Sequence, residues 1–279
     1  MLATAVLAQV LVVAPAHSDP TPHEPATNDR PLLSLYEPIY AVSDVNGGDQ
    51  IKLQLSFKLE IVPAWQHLRL FVGYTQRTFF DAWDRPRSAP IVGTDYFPEV
   101  FSRYHFAPGE PEPSGVEFVQ LGYRHESNGV GNEPGQESRR WDLIYLEGTA
   151  TYRFGQRQQN GRRHAASASL RVWLPVRIAA DNSDLPDYVG YGELRGKVSL
   201  VDLQPWFGGD VEVDVALRKG TGGLKRGSLQ LSLSTRPWRL ARWATPFIYV
   251  QLFHGHAERL ISYNESTTNI RVGIAFRPR

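Results

Sequence analysis

Hydrophobic and polar residues alternate with a period of two over long runs of this chain. Ile51, Leu53, Leu55, Phe57, Leu59 and Ile61 interleave with Lys52, Gln54, Ser56, Lys58 and Glu60. Leu68, Leu70, Val72 and Tyr74 alternate with Arg69, Phe71, Gly73 and Thr75. Ala166, Ala168, Leu170, Val172, Leu174, Val176 and Ile178 alternate with Ser167, Ser169, Arg171, Trp173 and Arg177, and the pattern returns over 211–217, 229–233 and 270–276. Successive side chains of a strand point to opposite faces, so each run predicts a strand with one apolar and one polar face. Turn residues separate the runs, at Asn46-Gly47-Gly48, Asn160-Gly161 and Gly220-Thr221-Gly222-Gly223. Counting runs gives about twelve strands.

Several runs reach about nine residues or more, the length with which a tilted strand crosses a bilayer. Their polar faces carry charges of both signs, as a water-lined or salt-bridged barrel interior does. A soluble sandwich also alternates, but with shorter strands. The expected fold is therefore all-β, a transmembrane antiparallel β-barrel of about twelve strands over residues 32–279.

Composition narrows the function. The 279 residues suit one large all-β domain, and 30 basic against 29 acidic residues leave a net charge of +1. That balance gives no case for nucleic acid. The absence of cysteine excludes disulfides, thiolate catalysis and sulfur-ligated metals. Aromatics at 11% fit rings anchored at membrane–water interfaces. Leu2 to Ala16 is apolar and ends in Ala14-Pro15-Ala16, which predicts a signal peptide over residues 1–16, with an uncleaved anchor as the alternative. Residues 17–31, rich in Pro, Asp, Glu and Thr, read as a disordered N-terminal segment. The histidines offer no H-E-x-x-H pair, so zinc hydrolysis is not expected, and Gly220 to Lys225 lacks P-loop spacing and reads as a hairpin loop.

Candidate chemistry stands on the apolar parity. Val119, Leu121 and Tyr123 are followed in step by His125 and Ser127, and Asp142 is in step with Ile144, Leu146, Gly148 and Ala150. A nucleophile, a base and a carboxylate thus face the side that should touch lipid. Ser127 is the candidate nucleophile, His125 its base, and Asp142 the group that orients the imidazole. The competing reading is a solvated pair at the rim. Gly129 could present a backbone N–H to an oxyanion, or serve only as a turn glycine. Gln76 shares the apolar parity of Leu68, Leu70, Val72 and Tyr74, where an amide is costly unless it is paired or sits at headgroup height.

Across His125-x-Ser127-Asn128-Gly129 and Ser138-Arg139-x-Trp141 the chain resembles the outer-membrane phospholipase A family. The resemblance extends to Tyr74-Thr75-Gln76, Ser88-Ala89-Pro90, Tyr96-x-Pro98, Asp181-Asn182-x-Asp184, Tyr188-x-Gly190-Tyr191 and Leu260-Ile261-x-Tyr263-Asn264. It implies a twelve-stranded outer-membrane barrel that hydrolyses phospholipid acyl esters (A1, A2 and lysophospholipase type) and is activated as a Ca²⁺-dependent homodimer. By the same resemblance the Ca²⁺ ligands are the Val130 carbonyl, the Ser138 hydroxyl and Ser88 of the partner subunit, with Asp181 a ligand in the monomer and Gln76 at the dimer interface. Two features depart from the family: Asp142 stands where asparagine is typical, and the loop between Gly129 and Ser138 is a few residues longer. The terminal aromatic, Phe276, is also followed by Arg277-Pro278-Arg279. The alternative is a non-catalytic outer-membrane barrel, porin-like or an inactive member of the family.

Overall fold

A computed structural model describes residues 32–46, 50–62, 67–81, 91–106, 114–131, 137–158, 161–203, 209–235 and 246–276. The expected signal peptide and N-terminal segment, residues 1–31, lie outside the described residues, as does Ser88. In chain order the strands are β1 (Leu33–Leu35), β2 (Ile39–Asp44), β3 (Gln50–Val62), β4 (Leu68–Asp81), β5 (Ile91–His105), β6 (Gly115–Ser127) and β7 (Arg140–Phe154). They continue as β8 (His164–Ile178), β9 (Gly192–Leu200), β10 (Val211–Lys219), β11 (Gly227–Thr235), β12 (Phe247–Gly255) and β13 (Thr267–Phe276). A 3₁₀ turn (Ala180–Asn182) and a short helix, α1 (Leu185–Val189), fill the connection between β8 and β9.

From β2 onward every strand pairs antiparallel with its neighbours in the chain, and β13 returns to β2 through Phe276↔Ile39 and Ala275↔Tyr40. The sheet is therefore closed. Strands β1 and β2 lie along the same strand, β3, through Leu33↔Leu59 and Tyr40↔Gln54, and act as two halves of one stave. The thirteen described strands thus make a barrel of twelve staves, the number the alternation predicts.

The two faces divide as the period-two pattern requires. Val72, Val100, Leu121, Ile144, Leu146, Leu170, Leu194 and Ile274 are exposed on the outer wall, an apolar belt of the kind that faces hydrocarbon. The largest fully buried side chains include Arg271, Tyr145, Lys52, Gln120 and Gln251. Polar side chains of the lumen join segments that are not neighbours in the sheet: the Gln120 amide donates to the Tyr36 hydroxyl at 3.2 Å, Arg195 to Glu37 at 3.0 Å and Lys52 to Gln251 at 3.0 Å. Gly122 makes room for this packing, since a Cβ there would lie 2.5 Å from the Tyr145 ring. Among the described residues the lumen is thus crossed by hydrogen-bonded side chains.

In two respects the structure differs from the alternation. Strands β5 and β12 carry aromatics on the inner face, with Phe97 and Phe101 in one and Tyr249 and Phe253 in the other all buried, so their polar and apolar parities were blurred. Arg177 is a correction. The alternation places it with Arg171 and Trp173 on the inner face, but the register runs Asp142↔Arg177 and then Leu143↔Pro175. Val176 is the extra residue of a β-bulge, and it turns Arg177 onto the outer face shared with Asp142.

Candidate active site

Antiparallel topology gathers the loops after β2, β4, β6, β8, β10 and β12 at one rim. Side-chain and backbone hydrogen bonds fasten them to one another. Asp95 accepts the Leu260 N–H at 3.1 and 3.3 Å, the Tyr263 hydroxyl donates to Asp184, and the Thr221 N–H reaches the Pro186 carbonyl at 3.3 Å. Asn182 grips Arg140 from both sides, accepting its N–H and donating to its carbonyl, each at 3.2 Å. Beneath them Leu185, Val189, Leu260 and Tyr263 join Trp141, Leu143 and Trp173 in a buried cluster. The rim end of the β6–β7 hairpin is consequently held on a rigid base.

On that hairpin His125 stands directly across from Asp142, as Leu121 stands across from Leu146 and Tyr123 from Ile144. The three pairs share the outer wall. His125 Nδ1 lies 2.6 Å from Asp142 Oδ1, and the Tyr123 hydroxyl also bonds Asp142. A carboxylate at Nδ1 selects the tautomer with its proton on that nitrogen, leaving Nε2 as the free base. Ser127 follows on the same face, half-buried, with Arg140 across from it on β7 and Tyr96 on β5. Between Tyr96↔Ser127 and Glu99↔Arg124 the β5–β6 ladder lapses, at the level of Pro98, which has no N–H to donate. On the inner face Glu126 accepts the Trp141 indole N–H at 2.6 Å and pairs with Arg124 at 3.1 Å, buttressing the hairpin from behind.

The loop beyond Ser127 is organised by Asn128, which is buried. Its Oδ1 accepts the N–H of Arg139 at 3.0 Å and of Val130 at 3.4 Å, and its Nδ2 donates to the Glu137 carbonyl at 2.8 Å. One amide therefore clamps both arms of the loop. Gly129 has φ +69°, and a Cβ there would lie 2.4 Å from the Tyr96 ring, so both backbone conformation and space require glycine.

The residues expected to bind metal divide accordingly. Val130 and the buried Ser138 are brought to the two sides of the Asn128 clamp, and Asp181 is exposed in the turn whose next residue, Asn182, grips Arg140. Among the described residues no cluster of three or more His, Asp or Glu could hold a metal unaided. A carbonyl and a hydroxyl held at one loop base, with a carboxylate at the same rim, are oxygen donors of the kind a hard cation such as Ca²⁺ takes. Gln76 is satisfied within the chain: it accepts the Tyr74 hydroxyl at 2.7 Å and donates to Thr78 at 3.0 Å. Its position therefore does not by itself demand a second copy. The sequence did not assign roles to Asn128, Asn182, Tyr123 or Arg177; of these Asn128 and Asn182 carried a signal, their places in the histidine–serine motif and in Asp181-Asn182-x-Asp184.

A family model described as Phospholipase A1 matches residues 25–276. A putative phospholipase A1 of Neisseria meningitidis serogroup B is 29% identical over 235 residues, covering 81% of this chain and 54% of that protein. Phospholipase A1 of Escherichia coli K12 is 27% identical over 237 residues, covering 81% of this chain and 69% of that protein. The chain thus spans about half the length of the first relative and somewhat over two thirds of the second. Outer membrane phospholipase A from Escherichia coli superposes with a TM-score of 0.66 at 22% identity, over 88% of this chain and 98% of that one. The Salmonella typhi outer membrane phospholipase dimer with bound calcium gives 0.66 at 22% identity, over 90% and 94%. These likenesses establish the shared barrel fold.

Proposed function

The chain belongs to the phospholipase A1 family, and from that premise we propose that it is an outer-membrane serine phospholipase, dependent on Ca²⁺ and active as a homodimer. It would act on the A1 and A2 acyl esters of glycerophospholipids and on lysophospholipids. The observation that carries this reading is the 2.6 Å contact of His125 with Asp142 on the lipid-facing wall, with Ser127 on the same face.

Ser127 Oγ attacks the acyl carbonyl while His125 Nε2 takes its proton, forming a tetrahedral intermediate. Asp142 fixes the imidazole and compensates the imidazolium that results. The Gly129 N–H faces the developing oxyanion. His125 then returns the proton to the departing lysophospholipid oxygen. In the second half-reaction His125 deprotonates water, which attacks the acyl-serine; the tetrahedral intermediate expels Ser127 Oγ, to which His125 returns the proton, and the fatty acid is freed. The Val130 carbonyl, the Ser138 hydroxyl and Ser88 of the partner subunit would hold Ca²⁺, with Asp181 serving in the monomer; the cation supplies Lewis-acid stabilisation of negative charge at the ester oxygen. Gln76 lies at the interface between subunits in this scheme, and its bonds to Tyr74 and Thr78 leave lone pairs and a proton for its counterpart. A site completed by a second subunit keeps a resident lipase silent in its own membrane.

The test is fatty-acid release from phospholipid in mixed micelles, with crosslinking on the same samples. Activity and crosslinked dimer are expected to rise together with Ca²⁺ and to fall together on chelation. Full activity from a monomeric, calcium-free sample would refute the calcium-dependent dimer.

A further inference from the structure

Arginines stand on the outer wall at the level of the dyad, at the edge of an apolar belt. Below it the same faces present Leu121, Ile144, Leu146 and Leu174, all exposed. Beside it Arg140 lies across from Ser127 and Arg177 across from Asp142. Arg177 reaches this face only through the bulge at Val176; an unbroken strand would have turned it into the lumen. Bulges occur beside active sites where a side chain is re-aimed. Asp142 already has His125 and Tyr123 as partners, whereas Arg177 is exposed and close enough to Tyr123 to act on it electrostatically.

A cation facing lipid is costly at mid-bilayer and cheap at the interface, where phosphates are its natural partners. Adjacent strands are about 4.8 Å apart, so Arg177 stands about 10 Å from His125 at the backbone, a gap its long side chain can largely span. In a glycerophospholipid the phosphate is only a few bonds from the acyl esters. Guanidinium groups bind phosphate through paired N–H donors, with more geometric selectivity than a lysine.

We propose that Arg177, with Arg140 beside it, forms the subsite for the substrate's phosphodiester and makes the enzyme select phospholipids over neutral acyl esters. The proposal rests on the serine phospholipase reading and adds to it the residues that recognise the headgroup. The phosphate bound is that of the reacting lipid, rather than that of neighbouring lipids that anchor the barrel.

The experiment compares wild type, R177Q, R177K and R140Q on two esters of equal chain length, palmitoyl-lysophosphatidylcholine and monopalmitoylglycerol. Both are presented with Ca²⁺ in nonionic micelles free of other phosphate. For R177Q the ratio of kcat/KM on the phospholipid to that on the neutral ester is expected to fall about tenfold, mostly through KM. R177K should recover part of the loss, and R140Q should move the ratio in the same direction. An equal fall on both esters would make Arg177 a counter-charge to Asp142 and overturn the subsite, as would an unchanged ratio. A loss seen only after anionic lipid is added to the micelles would assign Arg177 to bulk headgroups and also overturn it. Hydrolysis of neither ester by wild type would instead refute the serine phospholipase reading, and the subsite with it.

Discussion

In the neutral imidazole of His125 the carboxylate 2.6 Å from Nδ1 holds the proton on that nitrogen and turns Nε2 away as the acceptor. H125A and S127A should each lower phospholipid hydrolysis by about 10³-fold or more, because nucleophile and base act as a unit. Both residues sit on the outer wall and pack no core, so barrels of both variants should fold; fatty-acid release with a folding control checks this. Asp142→Asn should keep much of the activity, since an amide oxygen still accepts the Nδ1 proton, whereas Asp142→Ala leaves the ring unoriented and its charge uncompensated. Equal, wild-type rates for D142A under saturating Ca²⁺ would show that another group orients His125. The meeting of His125 with Asp142, and the place of Ser127 on the same face, were legible in the sequence because a strand's parity is unforgiving: groups in step with Leu121 and Ile144 must stand on the outer wall. Tyr123, which also bonds Asp142, was not legible, because a tyrosine on the outer wall looks like any interfacial aromatic.

The β6–β7 hairpin is the element that turns those residues into a site. Asn128 holds both arms of its loop through three hydrogen bonds, and removing a buried amide leaves its partners unsatisfied, at a cost of about 1–3 kcal/mol. Asn128→Ala should therefore weaken calcium activation more than it weakens the barrel, raising the Ca²⁺ concentration needed for half-maximal hydrolysis. An unchanged calcium requirement would mean that the loop is shaped by something else. Gly129→Ala meets both a positive φ and the Tyr96 ring, a strain of about 1–3 kcal/mol that should be visible as lost activity with the strands intact by circular dichroism. The hairpin's strands were plain from alternation. The bulge in β8 was not, because an inserted residue leaves no mark in composition, and only the register Asp142↔Arg177, Leu143↔Pro175 exposes it. Ser88, between β4 and β5 in the chain, lies outside the described residues.

At the scale of the whole molecule, a barrel with a polar interior must satisfy its buried charges by pairing them. At the rim that carries His125 and Ser127, Glu258 is surrounded by Lys52 at 3.1 Å, by Arg271 and by the Asn269 amide at 2.6 Å. Burial pushes the Glu258 carboxyl up, but Lys52 and Arg271 outweigh it and hold it at about 2, against an ordinary 4.5. Because the folded value is depressed, the stabilisation is fully present above about 4.5 and is lost as the pH falls toward 2. Glu258→Gln should flatten the acid limb of the unfolding profile between those limits, and Glu258→Ala, which leaves two cations without their shared anion, should cost about 3–5 kcal/mol. Urea unfolding followed by tryptophan fluorescence at several pH values measures both. A steep acid limb in E258Q would contradict this assignment. Strand number and closure were legible from the count of alternating runs, since twelve staves follow directly from them. Which charges meet across the lumen was not, because Lys52, Glu258 and Arg271 are joined only once the barrel closes.

Covalent capture of the nucleophile tests the serine mechanism most directly. A long-chain alkyl fluorophosphonate presented in micelles with Ca²⁺ should form a bond from a serine oxygen to phosphorus with loss of fluoride, His125 taking the proton. Mass spectrometry of the digested protein is expected to place the adduct on Ser127, with none formed in S127A and little in H125A. An adduct on a different serine, or phospholipid hydrolysis that survives in S127A, would contradict the assignment of Ser127 as the nucleophile.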